Sequence, residues 1–200
     1  MKITYYGHSC FLLESAGYRA VLDPFKDVEG RQTIALTADA VYCSHEHFDH
    51  NYREGVLLRN EDIPCPFHVT EISSFHDEVK GAKRGPNIIR IFEAEGLRIA
   101  HFGDMGCQLD PDQLALLRNL DLALIPVGGT YTIGPEEAKA LIEAIQPVTT
   151  IPMHYRNGSA GFANIASLDS FTALFPTVSH QPQSLNLSAK PEGIVILEDQ

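Results

Sequence analysis

The chain has 200 residues, 44% of them apolar and 20% charged, with a formal net charge of −11. That length fits one domain, residues 1–200, able to bury a sizeable core. The acidic balance argues against non-specific binding to nucleic acid or anionic membrane, which both need basic surface, and no apolar run reaches the length of a membrane span.

The first residues, Met1-Lys2-Ile3-Thr4-Tyr5-Tyr6, enter a strand pattern at once where a secretory leader would look different, so a cytoplasmic protein is expected. Segments 3–6, 10–14 and 18–23 are short β-rich runs separated by turns at Gly7 and Gly17. Segment 39–44 reads as a further short strand and 51–59 as a helix. Segments 66–72, 87–92 and 97–102 read as strands, the last two joined by Glu93-Ala94-Glu95-Gly96. Asp110-Pro111-Asp112-Gln113 is a helix start, with Asp at the cap, Pro in the first turn and Gln three on from the cap; the helix is predicted to run to about Leu120. A buried strand follows at 121–127. Pro135 opens a second helix with Ala138, Leu141, Ile142 and Ile145 on one face. Segment 148–153 is strand-like, 167–175 helical, and 193–198 a closing strand. The small residues of 155–161 predict a mobile loop. Strands first, then strands mixed with helices, fit two sheets packed face to face with helices outside, although periodicity alone permits several α/β folds.

Cys10, Cys43, Cys65 and Cys107 show no CxxC pairing, which favours reduced thiols. Cys10 and Cys43 lie in apolar runs and read as core.

The chemistry concentrates in His45-Glu46-His47-Phe48-Asp49-His50, four metal donors within six residues. In an extended chain, side chains two apart share a face, so His45 and His47 can converge on one cation. Asp49 and His50, a step further on, can serve a second. Zinc prefers imidazole nitrogen and carboxylate oxygen in roughly tetrahedral sets. Four donors do not fill two coordination spheres. His76, Asp104 and His154 each end a predicted strand, where loops can converge. No Ser-His-Asp pattern and no GxSxG is found.

These residues resemble the HxHxDH motif of the metallo-β-lactamase superfamily. The resemblance extends through Tyr6-Gly7-His8-Ser9, Val21-Leu22-Asp23-Pro24, His76-Asp77, Arg84-Gly85-Pro86-Asn87, Gly103-Asp104 and Pro152-Met153-His154-Tyr155. It looks most like a short-chain branch that contains ascorbate-6-phosphate lactonase and related metal-dependent hydrolases. The resemblance implies an αββα four-layer sandwich, two packed mixed sheets flanked by helices, with the site at the sheets' edge. It assigns His45, His47 and His76 to a first metal and Asp49, His50 and His154 to a second, with Asp104 bridging. Two divalent ions are implied, zinc first and manganese second. The run His76-Asp77-Glu78-Val79 departs from the usual His-Thr-Pro-Gly-His context. His8 and Asp23 read as residues that line the site or fix a ligand's tautomer. His101, three before Asp104, points to the other face of a regular strand and reads as buried and hydrogen-bonded. His68 and His180 read as surface histidines.

The implied activity is hydrolysis of a small ester-like substrate, a lactone or phosphorylated metabolite, by metal-bound hydroxide, with Asp49 orienting the attacking oxygen. Lys83 and Arg84 would suit a substrate phosphate or carboxylate, or would only brace a turn. An anionic substrate is compatible with the acidic chain, because bound metals reverse the local sign. Gly129 and Tyr131 form either a pocket wall or a plain turn. Alternatives are a phosphodiesterase or nuclease of the same fold, a di-iron redox protein (in which a carboxylate stands at the place of His47), and a non-catalytic metal-stabilised protein. A homo-oligomer is left open.

Overall fold

A computed structural model describes residues 1–189 and 191–198. Lys190, Asp199 and Gln200, part of the predicted 1–200 domain, lie outside the described residues. The elements in chain order are β1 (Lys2–Gly7), β2 (Cys10–Ser15), β3 (Tyr18–Leu22), β4 (Leu36–Ala38), β5 (Ala40–Tyr42), β6 (Val56–Leu58), β7 (His68–Phe75), β8 (Pro86–Ala94), β9 (Leu97–His101), α1 (Pro111–Leu116), β10 (Leu122–Pro126), α2 (Pro135–Ile145), β11 (Thr149–Met153), α3 (Leu168–Thr172), β12 (Val178–Gln181), β13 (Ser184–Asn186) and β14 (Gly193–Leu197). They form a five-stranded sheet, β13-β1-β2-β3-β5, a seven-stranded sheet, β12-β14-β11-β10-β9-β8-β7, and a small β4-β6 pair. Both large sheets are mixed: β1, β2 and β3 alternate in direction while β5 runs parallel to β3, and β9, β10, β11, β14 and β12 run parallel, with β8 against them and β7 again in their direction.

Period-two alternation decides which side chains face which layer. Ile3, Tyr5, Phe11, Leu13, Ala20 and Leu22 turn into the core shared with the seven-stranded sheet. Cys10, Leu12 and Val21 turn the other way, under Phe25, Val28, Ile34, Ala38 and Val56. Leu117 and the helical residues Ala138, Ile145 and Phe171 belong to the first core. The strand β10 between the two layers is buried at all five positions, as a parallel strand covered on both faces should be.

The mixed α/β sandwich is therefore as the sequence implied, with one correction to its outer layers. The cover over the five-stranded sheet is a loop and the β4-β6 pair rather than a helix. Segment 51–59, read as helical, instead makes one 3₁₀ turn at Arg53–Gly55 and then strand β6. Parallel pairing with β4 and burial of Val56 override the local periodicity. The predicted helix from Pro111 has the expected capping box, Asp110 accepting from Gln113 N at 2.8 Å and Gln113 from Asp110 N at 2.9 Å. It stops at Leu116, short of Leu120, because Asn119 adopts a left-handed φ of 56°. The 167–175 helix is likewise cut to Leu168–Thr172, ahead of Pro176, whose ring disfavours helical geometry in the residue before it. Strands β12 and β13 were not legible; they close the edges of the two sheets.

Topology brings the chemistry to one place. Strands β1, β3 and β5 share one direction in their sheet, as do β7, β9, β10 and β11 in theirs. His8, Asp23, the His45–His50 segment, His76, Asp104 and His154 all lie just beyond the C-terminal ends of these strands, where open α/β sheets expose their binding crevices.

Candidate metal centre

The His45–His50 segment is a tight turn in which His50 N and Asn51 N both donate to His47 O at 3.0 Å. It presents His45, His47, Asp49 and His50 to one space. Potential ligand atoms of His45, His47 and His76 lie within 4.8 Å of one another, as do those of His8, Asp49, His50 and His154, and those of His45, His50 and Asp104. Asp104 joins the sets: its Oδ2 is 3.1 Å from His50 Nε2, 3.2 Å from His76 Nε2 and 3.1 Å from His154 Nε2. All seven residues assigned as ligands are thus brought together, and His8 joins them. All are buried except His47, which is exposed.

The hydrogen bonds behind the histidines point their other nitrogens into the cluster. Asp23 accepts from Ser44 N and Ser44 Oγ, each at 2.6 Å, and lies 2.8 Å from His50 Nδ1. That carboxylate holds a proton on His50 Nδ1 and turns Nε2 into the cluster. Ser44 Oγ, its own proton committed to Asp23, accepts from His45 Nδ1 at 2.9 Å. His76 Nδ1 donates to Tyr131 O at 2.9 Å. Each arrangement fixes a tautomer, as ligating histidines require.

The donor set passes a test of fit to metal. His45 Nε2, His50 Nε2, both ring nitrogens of His154, and Asp104 Oδ1 are buried and make no well-directed hydrogen bond, the 3.1 Å approaches of His50 and His154 Nε2 to Asp104 Oδ2 included. Orphaned polar atoms are costly. Their gathering at one point is what a cation would resolve. Imidazole nitrogens with two carboxylates suit zinc.

Charge states in the metal-free protein follow from the packing. Burial, reinforced by His50, pulls the His45 imidazole down to about 3. Burial opposes ionisation of Asp104 and Asp49, but His154 and His50 hold Asp104 well below the usual carboxylate range, and the hydrogen bond from His8 together with His50 holds Asp49 low as well. Burial acts against the charge on His50, yet Asp104 and Asp23 on its two sides push its pKa well up. A metal held by His50 Nε2 would therefore have to displace a proton that the same carboxylates stabilise.

His8 meets the cluster from β1. Its Nε2 is 3.2 Å from Asp49 Oδ2, its ring lies 4.3 Å from that of His154, and its carbonyl accepts from His154 N at 2.9 Å. Burial, with His154 adding to it, holds His8 at about 3. The unfolded chain takes up a proton near pH 6.5 that the folded chain refuses until about pH 3. The stability His8 contributes is thus present above pH 6.5 and lost as pH falls toward 3. In chelator, His8→Gln should flatten the acid side of the stability–pH curve, read as urea midpoints at pH 7 and 4.5. Equal slopes for the two proteins would show His8 protonated in the folded state.

Asp23→Asn should weaken metal binding by about 10- to 100-fold, the usual cost of losing a carboxylate behind a ligating histidine. Chelator competition measures it; unchanged affinity would leave Asp23 a purely structural residue.

His101 stands apart, as read from its spacing. Its Nε2 donates to Ser9 O at 3.0 Å and its Nδ1 accepts from Gly103 N at 3.2 Å. It braces the backbone beside His8 and Asp104 and offers no free nitrogen. His68 and His180 are exposed on β7 and β12.

Over the cluster opens a cavity of about 510 Å³ lined by Glu46, His47, Phe48, Asp49, His76, Arg84, Asp104, Tyr131 and Phe162. Of the expected substrate residues, Arg84 and Tyr131 line it. Lys83 does not; it pairs with Glu78 at the exposed surface. Gly129 is not in the wall either. With φ +61° it turns the backbone so that Tyr131 N and Thr132 N both return to its carbonyl.

Sequence reasoning missed Ser44, Asn87, Asp77 and Phe162 as contributors. Asn87 Oδ1 accepts from Asp104 N at 2.9 Å, while its Nδ2 holds Ser74 Oγ and Phe102 O. A Cβ at Gly103 would come 2.4 Å from both Asn87 Oδ1 and Ser44 Cβ, which explains the glycine before Asp104. Asn87 and Asp77 stood inside stretches that carried the resemblance; Phe162 had no sequence signal.

Residues 2–154 match the beta-lactamase superfamily domain, and the chain belongs to that superfamily. A crystal structure from Thermotoga maritima, a proposed Zn-dependent hydrolase of the metallo-beta-lactamase superfamily, is 36% identical, with a TM-score of 0.79 and coverage of 100% of this chain and 99% of that one. The UPF0173 metal-dependent hydrolase of Desulforamulus reducens is 30% identical over 78% of this chain and 84% of its own length. That of Alkaliphilus metalliredigens is 25% identical over 98% and 96%. The chain stands among the metal-dependent hydrolases of the metallo-β-lactamase superfamily.

Proposed function

We propose that the protein is a dinuclear zinc hydrolase, acting as one domain on a small, ester-like molecule such as a lactone or phosphorylated metabolite; manganese is the second candidate ion. The observation that carries this reading is the set of orphaned buried donors on His45, His50, His154 and Asp104, facing a cavity of about 510 Å³. His45, His47 and His76 would hold one ion, Asp49, His50 and His154 the other, and Asp104 both. Bound there, the ions would supply Lewis acidity and a water nucleophile at neutral pH.

The chain's own groups do the rest. Asp49, held by His8 Nε2, keeps an ionised carboxylate beside the cavity to orient the attacking water. Asp23 and Ser44 hold His50 and His45 in their tautomers. Phe48 and Phe162 screen the mouth. A cavity of this size suits a small molecule better than a nucleic-acid strand, which weighs against a nuclease. A histidine at position 47 favours hydrolysis over di-iron redox chemistry. All four cysteines are free, which supports a reducing, cytoplasmic setting. Among the described residues, no helix is long and apolar enough to cross a membrane.

Elemental analysis after purification without added metal, followed by screening of the zinc- and manganese-loaded protein against lactones, phosphodiesters and thioesters, tests the reading. Two equivalents of zinc with lactone or ester turnover support it. Stoichiometric iron with oxygen or NO reduction would overturn it.

A further inference from the structure

Among the described residues, Arg84 is the one lysine or arginine lining the cavity over the donor cluster, and its placement is built rather than incidental. Asp77 accepts from four backbone amides: Val79 and Gly81 at Oδ1 (3.0 and 2.8 Å), Lys83 and Arg84 at Oδ2 (2.9 and 2.7 Å). This carboxylate is itself buried and gathers the 78–85 loop into one conformation. Gly85 N, donating to Gly81 O at 2.9 Å, and His76 N, donating to Gly85 O at 3.1 Å, close the loop against the strand end that carries His76.

The guanidinium that this loop presents has no carboxylate partner among the described residues; its Cζ lies 5.4 Å from the centroid of the Tyr131 ring. Tyr131 is fixed in turn. Its carbonyl accepts a hydrogen bond from His76 Nδ1, and its hydroxyl accepts from Asn164 Nδ2 at 2.6 Å. From Tyr131 an aromatic wall continues to Phe162 (6.1 Å between ring centroids) and on to Phe48 (6.4 Å). Phe48 is 52% exposed and lines the cavity, so its ring carries the wall out to the mouth. The ring of Phe162 also lies 6.5 Å from His154 and 5.5 Å from His8, so the wall runs down to the donors themselves.

Building on the hydrolase reading, we propose that Arg84 and the Phe48–Phe162–Tyr131 wall select the substrate: a small ester or lactone with a flat, apolar body and an anionic group. The body lies along the aromatic wall. The anion, carboxylate or phosphate, meets the guanidinium, and the scissile bond is left over Asp49. A preorganised guanidinium held over an aromatic ring, with no carboxylate partner among the described residues, is suited to oxyanions, because its fork loses little freedom on binding. Stacking against the wall adds contact at low entropic cost. Glu46, also in the lining, repels the anion from its own part of the rim and thereby helps fix the direction in which the substrate enters.

Sulfonates test this without the confusion of a carboxylate that seeks the metals. Zinc-loaded protein is titrated calorimetrically with benzenesulfonate, methanesulfonate and benzyl alcohol. Benzenesulfonate should bind the tightest of the three. Arg84→Gln should weaken it by about ten- to a hundredfold, the range for losing a charge-assisted hydrogen bond, and Arg84→Lys should recover only part. Phe162→Ala should remove the advantage of benzenesulfonate over methanesulfonate. Metal content and circular dichroism, unchanged in each variant, confirm that the site and fold are intact. Hydrolysis of 4-acetoxybenzenesulfonate and phenyl acetate is compared beside it, with a preference for the anionic ester expected to disappear in Arg84→Gln. Arg84-dependent binding with no ester hydrolysed would sustain this inference and sink the hydrolase reading. Equal benzenesulfonate affinity in wild type and Arg84→Gln, or methanesulfonate binding as tightly as benzenesulfonate, would overturn the inference itself.

Discussion

Asp104→Asn is expected to leave at most one metal bound and to lower kcat/KM by about a thousandfold or more, an effect on the scale of losing a principal electrostatic group of an active site. The reason is the position of one oxygen. Asp104 Oδ2 is within 3.2 Å of the Nε2 atoms of His76, in one donor set, and of His50 and His154, in the other. Its Oδ1 is buried without a partner. Asparagine has nearly the same shape, and the backbone amide would still donate to Asn87 Oδ1, so the fold should persist. The amide removes the charge that both ions would share and replaces an acceptor with a donor that no imidazole nitrogen can satisfy once a cation occupies the same space. Metal content by mass spectrometry, with circular dichroism as the check on folding, decides the matter. Two metals retained with near-normal turnover would remove Asp104 from the bridging position.

What could be read in the sequence was set by how local the signal is. The donors of His45 to His50 lie in one turn, so residue types and spacing were sufficient. His76, Asp104 and His154 are far apart in the chain, but each sits at a strand end, and strands with shared direction deliver their ends to one edge. The roles of Ser44 and Asn87 were illegible because they depend on which backbone groups arrive beside them: Ser44 must meet Asp23 from another strand, and Asn87 must meet Asp104 across a sheet. The same limit explains segment 51–59, whose apolar residues suited a helix until a distant strand, Leu36–Ala38, offered pairing. It also explains the basic loop after His76. Charge alone made Lys83 and Arg84 equivalent, whereas the four-amide grip of Asp77 turns Arg84 toward the cavity and leaves Lys83 outside with Glu78. His8 was recognisable as part of a Gly-His-Ser element, yet its contact with Asp49 arises only because β1 and β11 end side by side, with His154 N bonded to His8 O.

Asp49→Ala and His47→Ala should separate chemistry from metal retention. Asp49 Oδ2 takes a hydrogen bond from His8 and lies 3.6 Å from His50 Nε2, at the second donor set. Removing it leaves His45, His47 and His76 untouched, so the first metal should stay. His50, His154 and Asp104 still offer the second ion three protein donors, enough for weakened binding. Turnover should nevertheless fall by about 10²- to 10³-fold, because the carboxylate that orients the attacking water is gone. Both kcat and kcat/KM should drop together, the pattern of an interaction made in the transition state. His47→Ala should act differently. His47 is the exposed member of its set, so its loss opens the first position to solvent and leaves it only His45, His76 and the shared Asp104; that metal should be bound weakly enough to be largely lost at micromolar protein, and excess zinc should restore part of the activity. Metal content measured beside kinetics for each variant distinguishes the two. If Asp49→Ala keeps near-normal turnover with both metals bound, that carboxylate does not orient the nucleophile. If excess zinc rescues Asp49→Ala as fully as His47→Ala, Asp49 serves only as a ligand.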